Sequence, residues 1–371
     1  MTTRPLPTAL VRSLPATVPF VGPETQERER GRPFKARLGA NESSFGPSPR
    51  TIAAMTRAAG DMWKYGDAQN FVLRTKLAEK LGIGIENIVI GEGIDGLLGL
   101  VVRQYVGKDA PVVTSLGAYP TFNYHVSGFG GRLVTVPYEK DRESLDGLLD
   151  AVRREKAPLV YLANPDNPMG TWWDADEITR FIEALPPETL LILDEAYGET
   201  APEGTLPEVD VSRPNVLRMR TFSKVYGLAG LRCGYAIGEA QTIANFEKVR
   251  NHFGMTRMAQ AAAEAAIDDE DHLTWVQAQV EIGRQQLYRI AEDHDLSAIR
   301  SATNFVTVDC GRDGTFAMNV LKELGERDVF VRKPMAPGLD RCIRVSVGKA
   351  QELDIFADAL GDALSAAARA R

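Results

Sequence analysis

The feature that most limits the fold of this chain is an alternation of short apolar runs and helix-like segments between about residues 50 and 280. Uninterrupted apolar runs are typical of strands buried on both faces, and strands that alternate with helices form mainly parallel sheets. We therefore expect an α/β fold in which a large domain is built on a doubly wound, mainly parallel sheet. The predicted strands are residues 87–90, 111–114, 132–136, 158–163, 189–193, 216–220 and 233–237.

The remainder of the chain has a different pattern. Residues 255–292 contain few helix breakers and are predicted to form long helices that leave the large domain. Beyond them, short apolar strands alternate with helices, which predicts a small α+β domain at the C-terminus. The strands are expected at 304–308, 328–331 and 342–347, and the helices at 316–326 and 352–367. The predicted division is an N-terminal arm (1–34), a large domain (35–285) and a small domain (286–371).

The first 23 residues carry arginines and no acidic side chain, a composition that transit peptides share. Prolines at positions 5, 7, 15, 19 and 23 argue against the amphipathic helix that such peptides need. We interpret the segment as a flexible arm, for which a neighbouring subunit is a candidate surface. The polar run 24–30 would separate this arm from the folded chain.

Composition excludes several classes of partner. The net charge of −7 argues against a nucleic-acid surface, and no apolar run reaches the ~18 residues that a membrane span needs. The three scattered cysteines predict a reducing compartment, the cytoplasm, rather than a disulfide framework. Four dispersed histidines show no metal-ligand spacing, so no metal site is predicted. We expect small-molecule partners.

Lys224 follows the predicted strand 216–220 and stands eight residues before Arg232. A lysine near other cations or in a dry pocket loses its proton more readily and can attack a carbonyl carbon. Pyridoxal phosphate offers such a carbonyl and a phosphate dianion, which Arg232, Thr221 and Ser223 could bind through charge-assisted hydrogen bonds. The alternative is a surface lysine in a glycine-containing loop.

Asp194 ends the apolar run 189–193, and ligands of open α/β sheets bind at the carboxyl ends of the strands. A carboxylate there can pair with a protonated pyridine nitrogen and keep the ring an electron sink. Tyr197 could hydrogen-bond the phenolic oxygen of the same ring. The alternative is an aspartate that caps the next helix.

Asn167 lies in a turn with two prolines and a second asparagine, Asn164, directly after the predicted strand 158–163. Proline holds such a loop rigidly, so Asn167 would be fixed as a donor to the phenolic oxygen and Asn164 as a brace of the loop. Taken alone, such a segment is more typical of an ordinary turn.

Together these segments resemble the class I and II aminotransferases, which are fold type I pyridoxal-phosphate enzymes, and within them the histidinol-phosphate aminotransferase subfamily. The resemblance extends over about residues 35–365. The segments that carry it are 40–42, 45–49, 64–67, 164–170, 194–197, 224–234 and 343–348.

The resemblance implies a role for each matched position in cofactor binding. Lys224 would form the Schiff base, Asp194 would pair with the pyridine nitrogen, and Asn167 and Tyr197 would hold the phenolic oxygen. The remaining cofactor contacts are implied for Thr221, Ser223, Arg232 and the backbone amides of Gly93, Ile94 and Asp95 at the phosphate, Tyr119 on the ring, and Tyr65 from the partner subunit. Independently, residues 91–96 form a glycine-rich turn before a helical pattern, where free N–H groups favour an anion, although the turn lacks the dinucleotide-binding spacing.

Substrate specificity is expected in the small domain. In the predicted strand 342–347, Arg344 shares a face with Cys342 and Ser346. An arginine within so apolar a strand is costly unless it meets an anion, and the resemblance implies that Arg344 binds a substrate carboxylate or phosphate. Arg332 would add a second positive charge or be an exposed edge arginine. Asn167 and Phe45 are the other implied substrate contacts.

The sequence departs from the family at several positions. Relatives that act on histidinol phosphate tend to have a tyrosine where Phe45 stands, threonine where Met169 stands, an acidic pair after the phosphate-loop glycine, and Arg-Tyr-Pro around Tyr65, where this chain has Lys-Tyr-Gly. Phe45 lacks a hydroxyl that could contact a substrate phosphate. These departures affect the identity of the substrate more than the type of reaction.

The implied activity is a two-step transamination in a homodimer with shared active sites. The amino donor is expected to be histidinol phosphate or a related amino acid, and the acceptor a 2-oxo acid such as 2-oxoglutarate. The alternatives are an aromatic or other amino-acid aminotransferase, or a threonine-phosphate-type decarboxylase, on the same scaffold. Outside this class, a catalytically silent pyridoxal-phosphate-binding regulatory protein and a nucleotide-dependent enzyme stay open.

Overall fold

The computed structural model describes residues 4–16 and 20–370, so parts of the predicted arm (1–3 and 17–19) and the last residue of the predicted small domain lie outside the described residues. The helices are α1 (Ala9–Ser13), α2 (Pro23–Arg30), α3 (Pro49–Ala59), α4 (Phe71–Leu81), α5 (Gly93–Tyr105), α6 (Pro120–Gly128), α7 (Leu145–Glu155), α8 (Ala175–Ala184), α9 (Ala240–Ala244), α10 (Arg257–Ile267), α11 (Glu270–Asp293), α12 (Gly314–Glu326) and α13 (Ala350–Arg369). The strands are β1 (Ala36–Arg37), β2 (Ile88–Gly91), β3 (Pro111–Ser115), β4 (Arg132–Val136), β5 (Leu159–Ala163), β6 (Leu190–Asp194), β7 (Val216–Thr221), β8 (Gly234–Gly238), β9 (Ser297–Ile299), β10 (Phe305–Asp309), β11 (Val329–Phe330) and β12 (Cys342–Ser346).

The central sheet has the strand order β2-β8-β7-β6-β5-β3-β4. Strand β8 runs antiparallel to both of its neighbours, and the other pairings are parallel. The predicted α/β class and mainly parallel sheet are therefore confirmed, and each predicted strand agrees with an observed one to within one residue at either end. The parallel order brings the carboxyl ends of β5, β6 and β7 to one edge of the sheet.

The sheet is buried on both faces, as the uninterrupted apolar runs predicted. On β5, Leu159 and Tyr161 pack into one hydrophobic cluster, whereas Val160 and Leu162 pack into another on the opposite face. Burying each such aliphatic side chain contributes roughly 2 kcal/mol, so the sheet is a rigid base for side chains at the ends of its strands.

The C-terminal region forms a second sheet of order β12-β10-β9, which is antiparallel. β1 pairs with β11, so residues near the start of the folded chain join the C-terminal part. The predicted boundary between residues 285 and 286 falls inside α11, a continuous helix. The division into a large and a small domain stays a prediction.

The polar run 24–30 is helical and does not act as a linker. Proline is tolerated at the first position of a helix, and Pro23 occupies that position in α2. Glu24 pairs with Arg37, which ties this helix to the start of the folded chain. Leu10 lies over Gly130, where an added Cβ would be 3.4 Å from its Cδ2 atom. No helix in the described ranges is long and apolar enough to cross a membrane.

Candidate active site

Lys224 lies just beyond the carboxyl end of β7, in a tight turn. The turn is fixed by Thr221, whose Oγ1 accepts a hydrogen bond from the backbone N of Ser223 at 3.0 Å. The Lys224 ammonium donates to the carbonyl of Asn41 at 3.3 Å and lies 5.4 Å from the centre of the Tyr197 ring. Within the described residues no carboxylate forms an ion pair with it, so this amine is held in place without a countercharge.

Asp194 ends β6 and is buried. Its Oδ2 accepts a hydrogen bond from the Tyr161 hydroxyl at 2.6 Å, and its Oδ1 accepts one from the backbone N of Ala196 at 2.9 Å. Burial raises the pKa of Asp194 to about 6, and these two hydrogen bonds oppose the rise. A carboxylate held this way is ready to stabilise a cation placed beside it.

Tyr197 and Asn167 approach each other as predicted from their positions after β6 and β5. The Tyr197 hydroxyl accepts from Asn167 Nδ2 at 3.4 Å and from Asn41 Nδ2 at 2.9 Å. Sequence reasoning gave Asn41 no role, yet it contacts both Lys224 and Tyr197 and accepts from the Ser346 hydroxyl at 3.1 Å. Its φ of +54° is a conformation that asparagine tolerates better than most residues.

The glycine-rich turn and the arginine of the lysine loop meet at the start of α5. Gly93 has a φ of +74°, and a Cβ there would lie 2.6 Å from Arg232 Nη2. Arg232 pairs with Asp95 at 3.2 Å, and the Tyr119 hydroxyl donates to the same carboxylate at 2.7 Å. Ser223 Oγ lies 3.5 Å from Arg232 Nη1. Backbone N–H groups at the first turn of α5 therefore face the same region as a guanidinium, an arrangement suited to an anion.

Arg344 occupies the middle of β12 and faces the Lys224 region. Its Nη1 donates to Asn167 Oδ1 at 2.5 Å and its Nη2 to the carbonyl of Gly39 at 3.3 Å. The buried Nε has no hydrogen-bond partner in the described structure, and no carboxylate there pairs with this guanidinium. Burial lowers the pKa of Arg344. The residue is thus a cation whose hydrogen-bonding capacity is only partly used.

Three further predicted site residues make other contacts in the single chain. Arg332 joins Arg344 through a backbone bridge, but its guanidinium donates to the carbonyl of Val21 at 2.8 Å. Phe45 packs edge-on against Trp275, with ring centres 5.8 Å apart. The predicted cofactor contact Tyr65 is 79% exposed and packs against another aromatic ring, that of Phe253.

No group of three or more potential metal-ligating side chains converges in the part of the chain that the structure describes. The three cysteines are buried and free.

Comparison with known proteins places this geometry in context. The sequence model of the family described as "Aminotransferase class I and II" matches residues 35–360. Histidinol-phosphate aminotransferase 1 of Thiobacillus denitrificans is 38% identical over 334 residues, which cover 89% of this chain and 86% of that protein. Histidinol-phosphate aminotransferase of Anaeromyxobacter sp. is 36% identical, covering 98% of this chain and 100% of the relative.

Among solved structures, the fold is similar to that of histidinol-phosphate aminotransferase from Sinorhizobium meliloti in complex with pyridoxal-5'-phosphate. The TM-score is 0.94 and the sequence identity 54%, and the match covers 96% of this chain and 97% of the other.

Proposed function

Since this chain belongs to the class I and II aminotransferase family, we propose that its amino donor is histidinol phosphate or a related amino acid and its acceptor a 2-oxo acid such as 2-oxoglutarate. The observation that carries this proposal is the environment of Arg344. Its guanidinium has no carboxylate partner in the described residues, and it donates a hydrogen bond to Asn167, which lies in the same group of side chains as Lys224. An anionic group on the substrate would complete its hydrogen bonding.

We further propose pyridoxal phosphate as the cofactor, because the residues fit each of its groups. Lys224 provides an amine with no countercharge, Asp194 a buried carboxylate for the pyridine nitrogen, and Tyr197 a hydroxyl for the phenolic oxygen. Because Gly93 has no Cβ, the guanidinium of Arg232 lies close to the first turn of α5, where it and the free N–H groups of that turn could bind a phosphate together. When bound, this cofactor supplies an electron sink for the carbon that carries the amine.

In this proposal, each of these residues has a separate role in the reaction. Lys224 would hold the cofactor through its amine and, when that amine is free, would act as the base that takes a proton from the donor's amine-bearing carbon. Asp194 keeps a positive charge on the ring nitrogen favourable. Asn167 and Tyr197 fix the orientation of the ring, and Arg344 fixes the far end of the substrate.

One arginine can serve both half-reactions. A planar guanidinium binds a phosphate or a carboxylate with the same fork of N–H groups. The donor's phosphate and the acceptor's carboxylate can therefore occupy the same place beside Arg344 in turn. Arg332, whose backbone pairs with that of Arg344, would add positive charge if its side chain left the carbonyl of Val21. Phe45 offers no polar group for either anion.

We also propose that the enzyme is a homodimer in which Tyr65 reaches the partner's phosphate site. In the single chain, this exposed tyrosine packs against Phe253, which is 55% exposed, and Trp63, two residues before it in the sequence, is 80% exposed. Contiguous apolar surface of this kind is characteristic of protein interfaces. Burial of this surface in a dimer would explain why it is apolar.

The visible absorption spectrum tests the proposed function. Protein loaded with pyridoxal phosphate is expected to show the band of the lysine-bound cofactor, and both histidinol phosphate and glutamate should bleach it. Histidinol, which lacks the phosphate, is the matched control and should act far more slowly. Bleaching by glutamate alone would contradict the histidinol-phosphate assignment, and carbon dioxide release from threonine phosphate without a 2-oxo acid would indicate a decarboxylase.

A further inference from the structure

A pair of buried carboxylic acids lies beneath the loop that carries Asn167. Glu143 is 1% exposed and Asp166 is 2% exposed, and their carboxyl groups lie within hydrogen-bonding reach of each other. They lie at the carboxyl edge of the central sheet, near the ends of β3 and β5. Neither acid forms an ion pair in the described residues, although the charge of Arg344 acts on Asp166.

Each acid also accepts hydrogen bonds that fix its position. Glu143 accepts from the Ser115 hydroxyl at 2.5 Å and from the backbone N of Ala163 at 3.0 Å. Asp166 accepts from the Tyr138 hydroxyl at 2.7 Å and from the backbone N of Met169 at 3.0 Å. These donors hold the two carboxyl groups in place. If both were ionised, their like charges would repel each other in this buried space, and one shared proton removes that repulsion.

We propose that Glu143 is protonated and donates a hydrogen bond to Asp166, and that this shared proton fixes the loop that presents Asn167 to Tyr197 and Arg344. Glu143 is then a positioning residue, because it acts through Asp166 and does not touch the reacting atoms. This inference rests on the role proposed above for Asn167, which bonds Arg344 with its oxygen and Tyr197 with its nitrogen.

The surroundings of the two acids favour a proton on Glu143 rather than on Asp166. Burial raises the pKa of Glu143 well above its ordinary value, and the charge of Asp166 adds to the rise. Burial raises the pKa of Asp166 only to about 6, because the hydrogen bonds from Tyr138 and Met169 and the charge of Arg344 favour its ionised form. The phenols of Tyr138 and Tyr161 also face Glu143. These effects favour the proton on Glu143 and the negative charge on Asp166, as proposed.

A pH dependence follows, and its sign is fixed. The shared proton is present below the raised pKa of Glu143 and is lost as the pH rises through it. Above that point, two carboxylates oppose each other and the loop is no longer held. The substrate KM should rise on the alkaline side, because Arg344 loses its alignment through Asn167.

The test compares Glu143→Gln with Glu143→Leu. Glutamine keeps a donor toward Asp166 and cannot lose it with pH, so kcat/KM should stay within about twofold of wild type at neutral pH and the alkaline rise in KM should disappear. Leucine removes the donor and leaves Asp166 poorly paired, so kcat/KM should fall about 10- to 100-fold. Glu139→Gln, an exposed position in the preceding turn, is the matched control and should keep the wild-type pH profile.

Infrared spectroscopy gives a readout independent of activity. The wild type minus Glu143→Gln difference spectrum at neutral pH should contain the C=O stretch of a protonated carboxyl, with or without bound cofactor. Absence of that band would overturn the proposal. So would a Glu143→Gln enzyme that keeps the wild-type rise in KM at alkaline pH, or one whose kcat/KM falls as far as that of Glu143→Leu. These two readouts still decide the matter if Glu143→Leu does not fold. If the proposed function is wrong, the wild type will not turn over these substrates, but the infrared band of the protonated carboxyl will still be present.

Discussion

The cofactor side and the substrate side of the site differ in how their polar groups are paired. At the end of β6, Asp194 receives two hydrogen bonds from the protein, and the groups around it are set by a sheet buried on both faces. On β12, Arg344 keeps an unpartnered Nε, and the nearby Arg332 side chain donates to a backbone carbonyl. In the function proposed above, the first region is organised before any ligand arrives, and the second would be completed by the ligand.

This difference suits an enzyme that keeps one cofactor and exchanges two substrates. Preorganised donors and charges cost no rearrangement during the reaction, which favours a rigid cofactor site. A substrate site must instead accept a phosphate and a carboxylate in turn, and an arginine with free donors can do so. Substitutions on the cofactor side should therefore mainly lower the rate, and those on the substrate side should mainly change discrimination.

The largest effect is expected from Lys224→Ala. It removes both the nucleophile and the base, so kcat should fall by about 10⁴-fold or more, and the visible band of the lysine-bound cofactor should be absent. Cofactor binding should be weaker but detectable by equilibrium dialysis. Lys322→Ala, at an exposed lysine on α12, should behave as wild type. Retention of the band in Lys224→Ala would refute the assignment of this lysine.

Asp194→Asn should have the next largest effect. The amide has the same shape but no charge to stabilise a protonated ring nitrogen, so kcat should fall by about 10²- to 10³-fold. Substrate affinity, measured from the concentration dependence of the half-reaction, should change little because Arg344 is untouched. An unchanged kcat would show that the carboxylate does not stabilise the cofactor.

Tyr161→Phe tests the pairing of Asp194 through pH. The Tyr161 hydroxyl favours the ionised carboxylate, so its loss should raise the pKa of Asp194 above about 6. Cofactor affinity of the empty protein should decline below that pKa, where the carboxyl is neutral, and the decline should begin about one pH unit higher in the variant. Fluorescence titration with cofactor across pH measures the shift. A midpoint that does not move would mean that this hydrogen bond leaves Asp194 unaffected.

Tyr65→Phe should have the smallest effect and tests whether the cofactor side is complete within one chain. Loss of one hydrogen bond from the partner to the phosphate should weaken cofactor affinity by about tenfold, while the aromatic ring should preserve the dimer. Dialysis and sedimentation measure the two quantities on the same samples. Unchanged affinity in an intact dimer would remove Tyr65 from the phosphate site.

Much of the cofactor side could be predicted because it lies at strand ends. Continuous apolar runs marked the strands, and the polar residues just beyond them, such as Asn167, Asp194 and Lys224, necessarily meet at one edge of a parallel sheet. The resemblance and the glycine-rich turn at 91–96 together predicted an anion site at Gly93. The role of each residue in binding still awaits the experiments above.

The missed contacts depend on pairings between distant segments. Tyr161 is an aromatic inside an apolar strand, and its partner became evident only from the register that sets β5 beside β6. Asn41 is remote in sequence from Lys224 and Tyr197, and no periodicity connects them. The polar run 24–30 was predicted to separate the arm from the folded chain, and the helix that it forms after Pro23 was not predicted.

The most direct test of the account is the ratio of kcat/KM for histidinol phosphate to that for histidinol in wild type and Arg344→Gln. The account predicts that this ratio falls by about 100-fold, with glutamate turnover falling in parallel and the cofactor spectrum unchanged. Arg341→Gln is the control, because Asp141 and Asp309 already pair with that arginine. An unchanged ratio in Arg344→Gln, or an altered cofactor spectrum, would contradict the account. It would mean that the site is not divided into a preorganised cofactor side and a substrate side that binds an anion through Arg344.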